Sequence, residues 1–138
     1  MAPRAYGLWH LALNVRALEP MERFYVDVMQ MAVEWRPDPE NVYLSSGFDN
    51  LALHVVEGMP PPGTLGALDH LGFFVETHED VDAWHAHLLG HGFTPDNAPR
   101  THRDGARSFY FRDPEENRLQ LLCHPPILAA AKQAGLKL

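Results

Sequence analysis

Apolar residues alternate with polar or small ones from Leu8 to Val15, and the alternation returns from Leu68 to Val75. A period of two over six to eight residues predicts a strand with one buried face. After each run the period lengthens. Met21, Phe24, Tyr25, Val28 and Met29 recur at helical spacing, with Pro20 suited to a first helical turn. The second stretch carries Val81, Trp84, His85, Leu88 and Leu89, opened by Thr77 with Asp80 three residues on and closed by Gly90 and Gly92. Shorter strand candidates follow each helix: about Val33–Trp35, Val42–Ser45 and Leu51–Val56, then Phe93–Thr94, Arg107–Phe111 and Arg118–Cys123. The pattern reads βαβββ, twice.

The two copies superimpose without gaps at an offset of 60 residues, His10-Leu11 on His70-Leu71 and Val15 on Val75. Glu19 falls on Glu79, Phe24 on Trp84, Val28 on Leu88, Met29 on Leu89 and Val33 on Phe93. Internal duplication is the simplest explanation. A proline-stiffened stretch, Glu57 to Gly63, separates the copies. Asp113-Pro114-Glu115-Glu116-Asn117 reads as a turn, with Asn117 able to accept the left-handed conformation. The expected organisation is one domain over 1–138: unit one about 6–57, linker 58–64, unit two about 65–124, and a tail 125–138. The Ala/Leu-rich tail is expected as a short helix on the sheet or on a partner.

Length and composition agree. A chain of 138 residues that is 46% hydrophobic suits one compact domain. Its net charge of −7 and its 11 Lys+Arg, in no long basic run, argue against nucleic acid as a partner. No apolar stretch nears the roughly 20 residues of a bilayer span, and no signal-peptide core follows Met1, so cytoplasmic residence without a membrane partner is expected. Cys123 is the single cysteine and has no internal disulfide partner. Nine histidines are the generous feature, since histidine is both a common metal ligand and a common general base. The duplicated placement of His10 and His70 offers two imidazoles from sequence-distant strands to one ion. Local hydrogen bonding by each is the other reading.

His10-Leu11-Ala12-Leu13, Phe24 to Val28, Asp69-His70-Leu71-Gly72-Phe73, and Ser108 to Pro114 through Asn117-Arg118-Leu119 together resemble the vicinal oxygen chelate superfamily. That superfamily includes glyoxalase I, bleomycin-binding proteins, fosfomycin resistance proteins and extradiol dioxygenases. The resemblance runs from about residue 6 to 124. It implies an α+β fold in which two tandem βαβββ units form a curved half-barrel cup around a divalent metal ion (Fe, Mn, Ni or Zn). It also implies that His10 and His70 are ligands, with a third in the last strand, usually Glu. Here that position is Gln120, which either ligates through its carbonyl oxygen or caps a cavity by hydrogen bonding. The last strand of copy one, Leu51 to Val56, has no acid where glyoxalase I usually adds one, and no Arg follows Cys123 to hold a phosphonate as in fosfomycin-type enzymes.

The order His10, His70, then position 120 resembles that of the extradiol dioxygenases. By that resemblance Tyr110 hydrogen-bonds the substrate oxygen, His102 lies near an active-site histidine, and the acid/base place falls near Asp49 or Asn50, a role left unfilled unless His54 takes it by a strand slip. The plain alternatives are a half-buried strand aromatic for Tyr110 and a polar hairpin turn for Thr101 to Gly105. His85, His87 and His91 sit on or just after a helix and are not expected to bind metal, and Cys123 reads as a buried, inert thiol.

Three functions remain open. The first is a metal-dependent enzyme, extradiol-dioxygenase-like or lyase/isomerase-like, on a small oxygen-bearing and possibly catechol-like substrate. The second is a metal-free protein that sequesters a small molecule in a cavity walled by Trp9, Phe73, Tyr110 and Leu122. The third is a standalone lobe that scaffolds another protein. A homodimer is expected, with His10 of one chain and His70 of the other facing one cavity, because three consecutive prolines hinder an abrupt fold-back.

Overall fold

The computed structural model describes residues 1–137. The chain divides into two compact units, Met1–Pro61 and Pro62–Leu138. In unit one, strand β1 (His10–Val15) leads to helix α1 (Leu18–Arg23), a π-helical turn (Phe24–Val28), and strands β2 (Ala32–Asp38), β3 (Asn41–Ser45) and β4 (Asn50–Val55). The sheet order is β1-β4-β3-β2, with β1 parallel to β4 and the other pairs antiparallel.

Unit two repeats the plan. Strand β5 (Leu71–Phe74) is followed by helix α2 (His78–Gly90), then β6 (Arg100–Thr101), β7 (Arg107–Arg112), β8 (Arg118–Cys123) and helix α3 (Pro125–Gln133). Its sheet runs β5-β8-β7-β6, again with the first and last strands parallel. Two βαβββ units make this an α+β protein.

In each unit one face of the sheet takes the helix and the other stays open. Unit one buries Leu13, Val15, Val42, Leu44, Leu51 and Leu53 together with Met21, Phe24, Tyr25 and Val28. Unit two buries Phe109, Phe111, Leu119 and Leu121 with Val81 and Leu88 of α2. Each such side chain contributes roughly 1.5–3 kcal/mol when fully removed from water. Strand alternation then sends the intervening residues to the open face.

The first helix departs from the expected α geometry. The Met29 N–H reaches the Phe24 carbonyl at 3.0 Å, a five-residue span. That wider turn accompanies the burial of the adjacent pair Phe24 and Tyr25, whose rings meet edge to face at 5.1 Å, along with Val28 and Met29. The second helix follows its sequence signals. The Thr77 hydroxyl accepts from the Asp80 N–H at 3.1 Å, and the Asp80 carboxylate accepts from the Thr77 N–H at 3.1 Å.

Three local expectations are corrected. Phe93–Thr94 is not a strand: the Phe93 N–H bonds to the Leu88 carbonyl and completes the helix end, and the edge strand of unit two is the polar pair Arg100–Thr101. In the Asp113 turn, Glu116 and not Asn117 takes the left-handed conformation (φ 66°). Asn117 instead donates its backbone and side-chain N–H groups to the buried Asp113 carboxylate, at 3.0 and 2.8 Å. Phe73 pairs with Leu121 on the helix side of its sheet, so it cannot share a cavity wall with Tyr110 and Leu122 on the open face.

Candidate functional site

The open face of unit one is set by register. β1 and β4 pair His10 with Asn50, Ala12 with Ala52 and Asn14 with His54, and β3 adds Tyr43 opposite Ala52 and Asn41 opposite His54. His10 is exposed, and its Nδ1 lies 2.6 Å from Asn50 Oδ1. Asn50 Nδ2 in turn donates to Glu34 Oε2 at 2.5 Å. An amide oxygen only accepts, so this contact calls for the proton on Nδ1, and a neutral His10 imidazole would then keep its lone pair on Nε2.

His54 repeats this wiring. Its Nδ1 meets Asn41 Oδ1 at 2.5 Å, and Asn41 Nδ2 donates to both Asp38 carboxylate oxygens at 2.8 and 3.0 Å. These hydrogen bonds, with one from the Glu40 N–H, hold the Asp38 carboxyl below its ordinary range. His54 shares the face with His10, but it sits four residues beyond Asn50 along β4, about 13 Å at strand rise. Trp35 stacks on Tyr43 at 5.1 Å on this face.

The open face of unit two follows the same register. Gly72 pairs with Gln120 and Gln120 with Tyr110, while His70 lies two residues before Gly72. His70 Nδ1 is 2.5 Å from Asp69 Oδ1, leaving Nε2 available. The His70 ring meets Tyr110 edge to face at 5.3 Å, and the Arg118 guanidinium lies 3.8 Å over the same Tyr110 ring. The hydrogen bond from His70, together with the positive charge of Arg118, pulls the Asp69 carboxyl below the usual carboxylate range. A Cβ at position 72 would press on Leu122 Cδ2 at 3.2 Å and touch Gln120 Oε1 at 3.9 Å, so the missing side chain is what lets Leu122 and the Gln120 amide pack over this strand. Among the described residues neither the Gln120 amide nor the Tyr110 hydroxyl has a hydrogen-bond partner.

His102 lies in a hairpin turn closed by its own N–H to the Ala106 carbonyl at 2.7 Å. Its Nε2 is 3.1 Å from Ser108 Oγ, on the same face as Tyr110 but two strand positions away. His70, Tyr110 and Gln120 thus share one face of unit two with His102 at its margin, and His10 and His54 share the face of unit one.

Register also exposes two correspondences that an ungapped comparison misses. Tyr43 is the counterpart of Tyr110, and Ala52 the counterpart of Gln120. The longer connection after α2 shifts the later strands out of the 60-residue offset. At the two places where the duplicated fold could aim a carboxylate beside the histidines, the chain has a methyl group and an amide. Within either unit, no three His, Cys, Asp or Glu side chains converge among the described residues.

Other chemistry-bearing groups are engaged elsewhere. A surface groove on the helix side of unit one is lined by Glu19, Glu22, Arg23, Asp27, Arg36 and Asp38. Its arginines pair with Glu19 and Glu22. Cys123 is buried, its thiol facing the Glu76 carbonyl at 3.2 Å, and burial pushes its pKa up.

Paired βαβββ units, with a histidine opening β1 and another just before β5, define a class, and comparison with known proteins agrees. The model of the Glyoxalase/Bleomycin resistance protein/Dioxygenase superfamily matches residues 7–121, and the chain belongs to that superfamily. Among solved structures it is similar to a lactoylglutathione lyase from Agrobacterium tumefaciens (TM-score 0.70, 22% identity, 84% of this chain and 92% of that one). It is also similar to a glyoxalase family protein from Enterococcus faecalis (0.68, 25%, 84% and 96%). A glyoxalase/dioxygenase from Nostoc punctiforme matches as well (0.71, 17%, 86% and 91%). The likeness is one of fold.

Proposed function

We propose that this protein is a metal-dependent enzyme acting on a small oxygen-bearing substrate, with His10, His70 and Gln120 as ligands of one divalent ion. The observation that carries this reading is the matched wiring of the two histidines. Each has Nδ1 engaged by an oxygen acceptor, Asn50 or Asp69, and each keeps Nε2 for a ligand. The unpartnered Gln120 amide supplies a neutral oxygen on the same face as His70. The donor set therefore fits a borderline metal such as Fe, Mn, Ni or Zn. Such an ion, when bound, supplies Lewis acidity toward the substrate's oxygens. The chain's own part is to orient the substrate: the Tyr110 hydroxyl donates to a substrate oxygen, and the stacked Arg118 adds positive potential near the charge that develops there. His102 and His54 are the histidines nearest these faces for proton transfer.

Metal analysis tests this. Protein purified without chelator is expected to hold close to one equivalent per chain, and His10→Ala to lose most of it. Gln120→Glu adds a carboxylate at the same reach and is expected to tighten Zn²⁺ by about tenfold. Under roughly a tenth of an equivalent in the wild type, unchanged in His10→Ala, would sink the metal reading.

A second reading is a metal-free protein that sequesters a small molecule. Ala52 and Gln120 favour it, because together they leave the set without a carboxylate to offset an M²⁺ charge. The stacked Trp35 and Tyr43 offer an aromatic platform for such a ligand. In either case a homodimer resident in the cytoplasm is proposed; the dimer rests on the three linker prolines and the exposed Trp9, Trp35, Leu65 and Leu68.

A further inference from the structure

Two chains of the form histidine, asparagine, carboxylate cross the open sheet of unit one. In each, the acid takes the amide N–H, the amide is thereby turned so that its oxygen faces the imidazole, and the imidazole must donate from Nδ1. Glu34 comes from the edge strand β2, Asn50 from β4 and His10 from β1. The connection exists only because the sheet folds; 16 residues separate Glu34 from Asn50, and 40 separate Asn50 from His10.

Asparagine alone would not suffice. Its oxygen and nitrogen ends differ little in shape, and either can face a neutral imidazole, stabilising opposite tautomers. A carboxylate accepts and never donates, so Glu34 selects one end. His70 needs no such arrangement, because Asp69 is itself a carboxylate.

We propose that Glu34 and Asn50 are positioning residues for His10: the Glu34 carboxylate fixes the orientation of the Asn50 amide, which holds the proton on His10 Nδ1 and leaves Nε2 as the lone-pair donor. The tautomer claim stands by itself, and its consequence for metal affinity rests on the ligand reading above. Free histidine in water prefers the proton on Nε2, so the relay works against the default and leaves a readable mark. Neither side chain is in the core, and the Asn50 backbone N–H keeps its bond to the Trp9 carbonyl whatever the side chain.

The test is long-range ¹H–¹⁵N correlation of the histidine side chains in metal-free protein at alkaline pH, where the imidazoles are neutral. His10 is assigned by the loss of its signals in His10→Gln. The wild type is expected to show His10 with the proton on Nδ1. Asn50→Ala should move it to Nε2, Glu34→Gln should give a mixture as the amide loses its anchor, and Asn50→Asp should restore Nδ1–H. His54, wired through Asn41 and Asp38, stays unchanged in all four and reports that the sheet is intact. In parallel, Zn²⁺ affinity is measured by competition with a chromophoric chelator, with about tenfold weakening expected for Asn50→Ala and a smaller loss for Glu34→Gln.

A wild-type His10 protonated on Nε2, or one that stays on Nδ1 in both Asn50→Ala and Glu34→Gln, overturns the relay. Tautomers that move as expected in a protein that binds no Zn²⁺ uphold the relay and remove the metal reading instead. Zn²⁺ held equally by wild type and Asn50→Ala overturns the relay's claim on the ligand.

Discussion

Tyr110 is where residue-scale effects meet: an arginine covers one face of its ring and a histidine meets it edge on. The Cys123 thiol is buried, and burial raises its pKa, so little thiolate forms near neutral pH. Thiol-reactive reagent is therefore expected to label the native protein far more slowly than the urea-unfolded chain; equal rates would contradict the burial. Asp38 gives a pH dependence. Hydrogen bonds from Asn41 and the Glu40 N–H lower its folded pKa, so its stabilising contribution is present above the unfolded carboxylate value of about 3.9 and disappears as pH falls through the lower, folded one. Asp38→Asn should be less stable than wild type at pH 7 in urea titrations, with the difference closing in acid.

At the scale of elements, the capping box at the start of α2 satisfies two N–H groups reciprocally. Thr77→Ala is expected to cost about 1 kcal/mol, visible as a lowered thermal midpoint, whereas Thr77→Ser should cost much less. This cap was legible in the sequence, as were the helices after β1 and β5, the short tail helix and seven of the eight strands, all but β6. Their signals are local: a period, a cap, a run of prolines. What escaped depended on register. Arg100–Thr101 carries no hydrophobic alternation and is a strand only because β7 pairs with it. The π turn hides inside a 3.6-residue pattern, since Phe24, Tyr25, Val28 and Met29 satisfy both periods. The histidine pair was visible from the duplication. Glu34, Asn50 and Tyr43 were not, because residues brought together across three strands have no sequence spacing of their own.

For the whole molecule, assembly is the open proposal. Sedimentation at micromolar concentration is expected to give about twice the 15.6 kDa chain mass. A particle of single-chain mass would refute the dimer. The hydrogen bonding of the sheets bears on more than assembly. Every strand pairs with others of its own unit, first with last, and the residues from Gly58 to Asp69 join no ladder and are nearly all exposed. Opening the covalent chain there removes no strand-to-strand bond from either sheet. The linker is thus the natural seam at which the gene could be divided into two messages, each encoding one half with its own histidine, so that neither polypeptide alone would hold both.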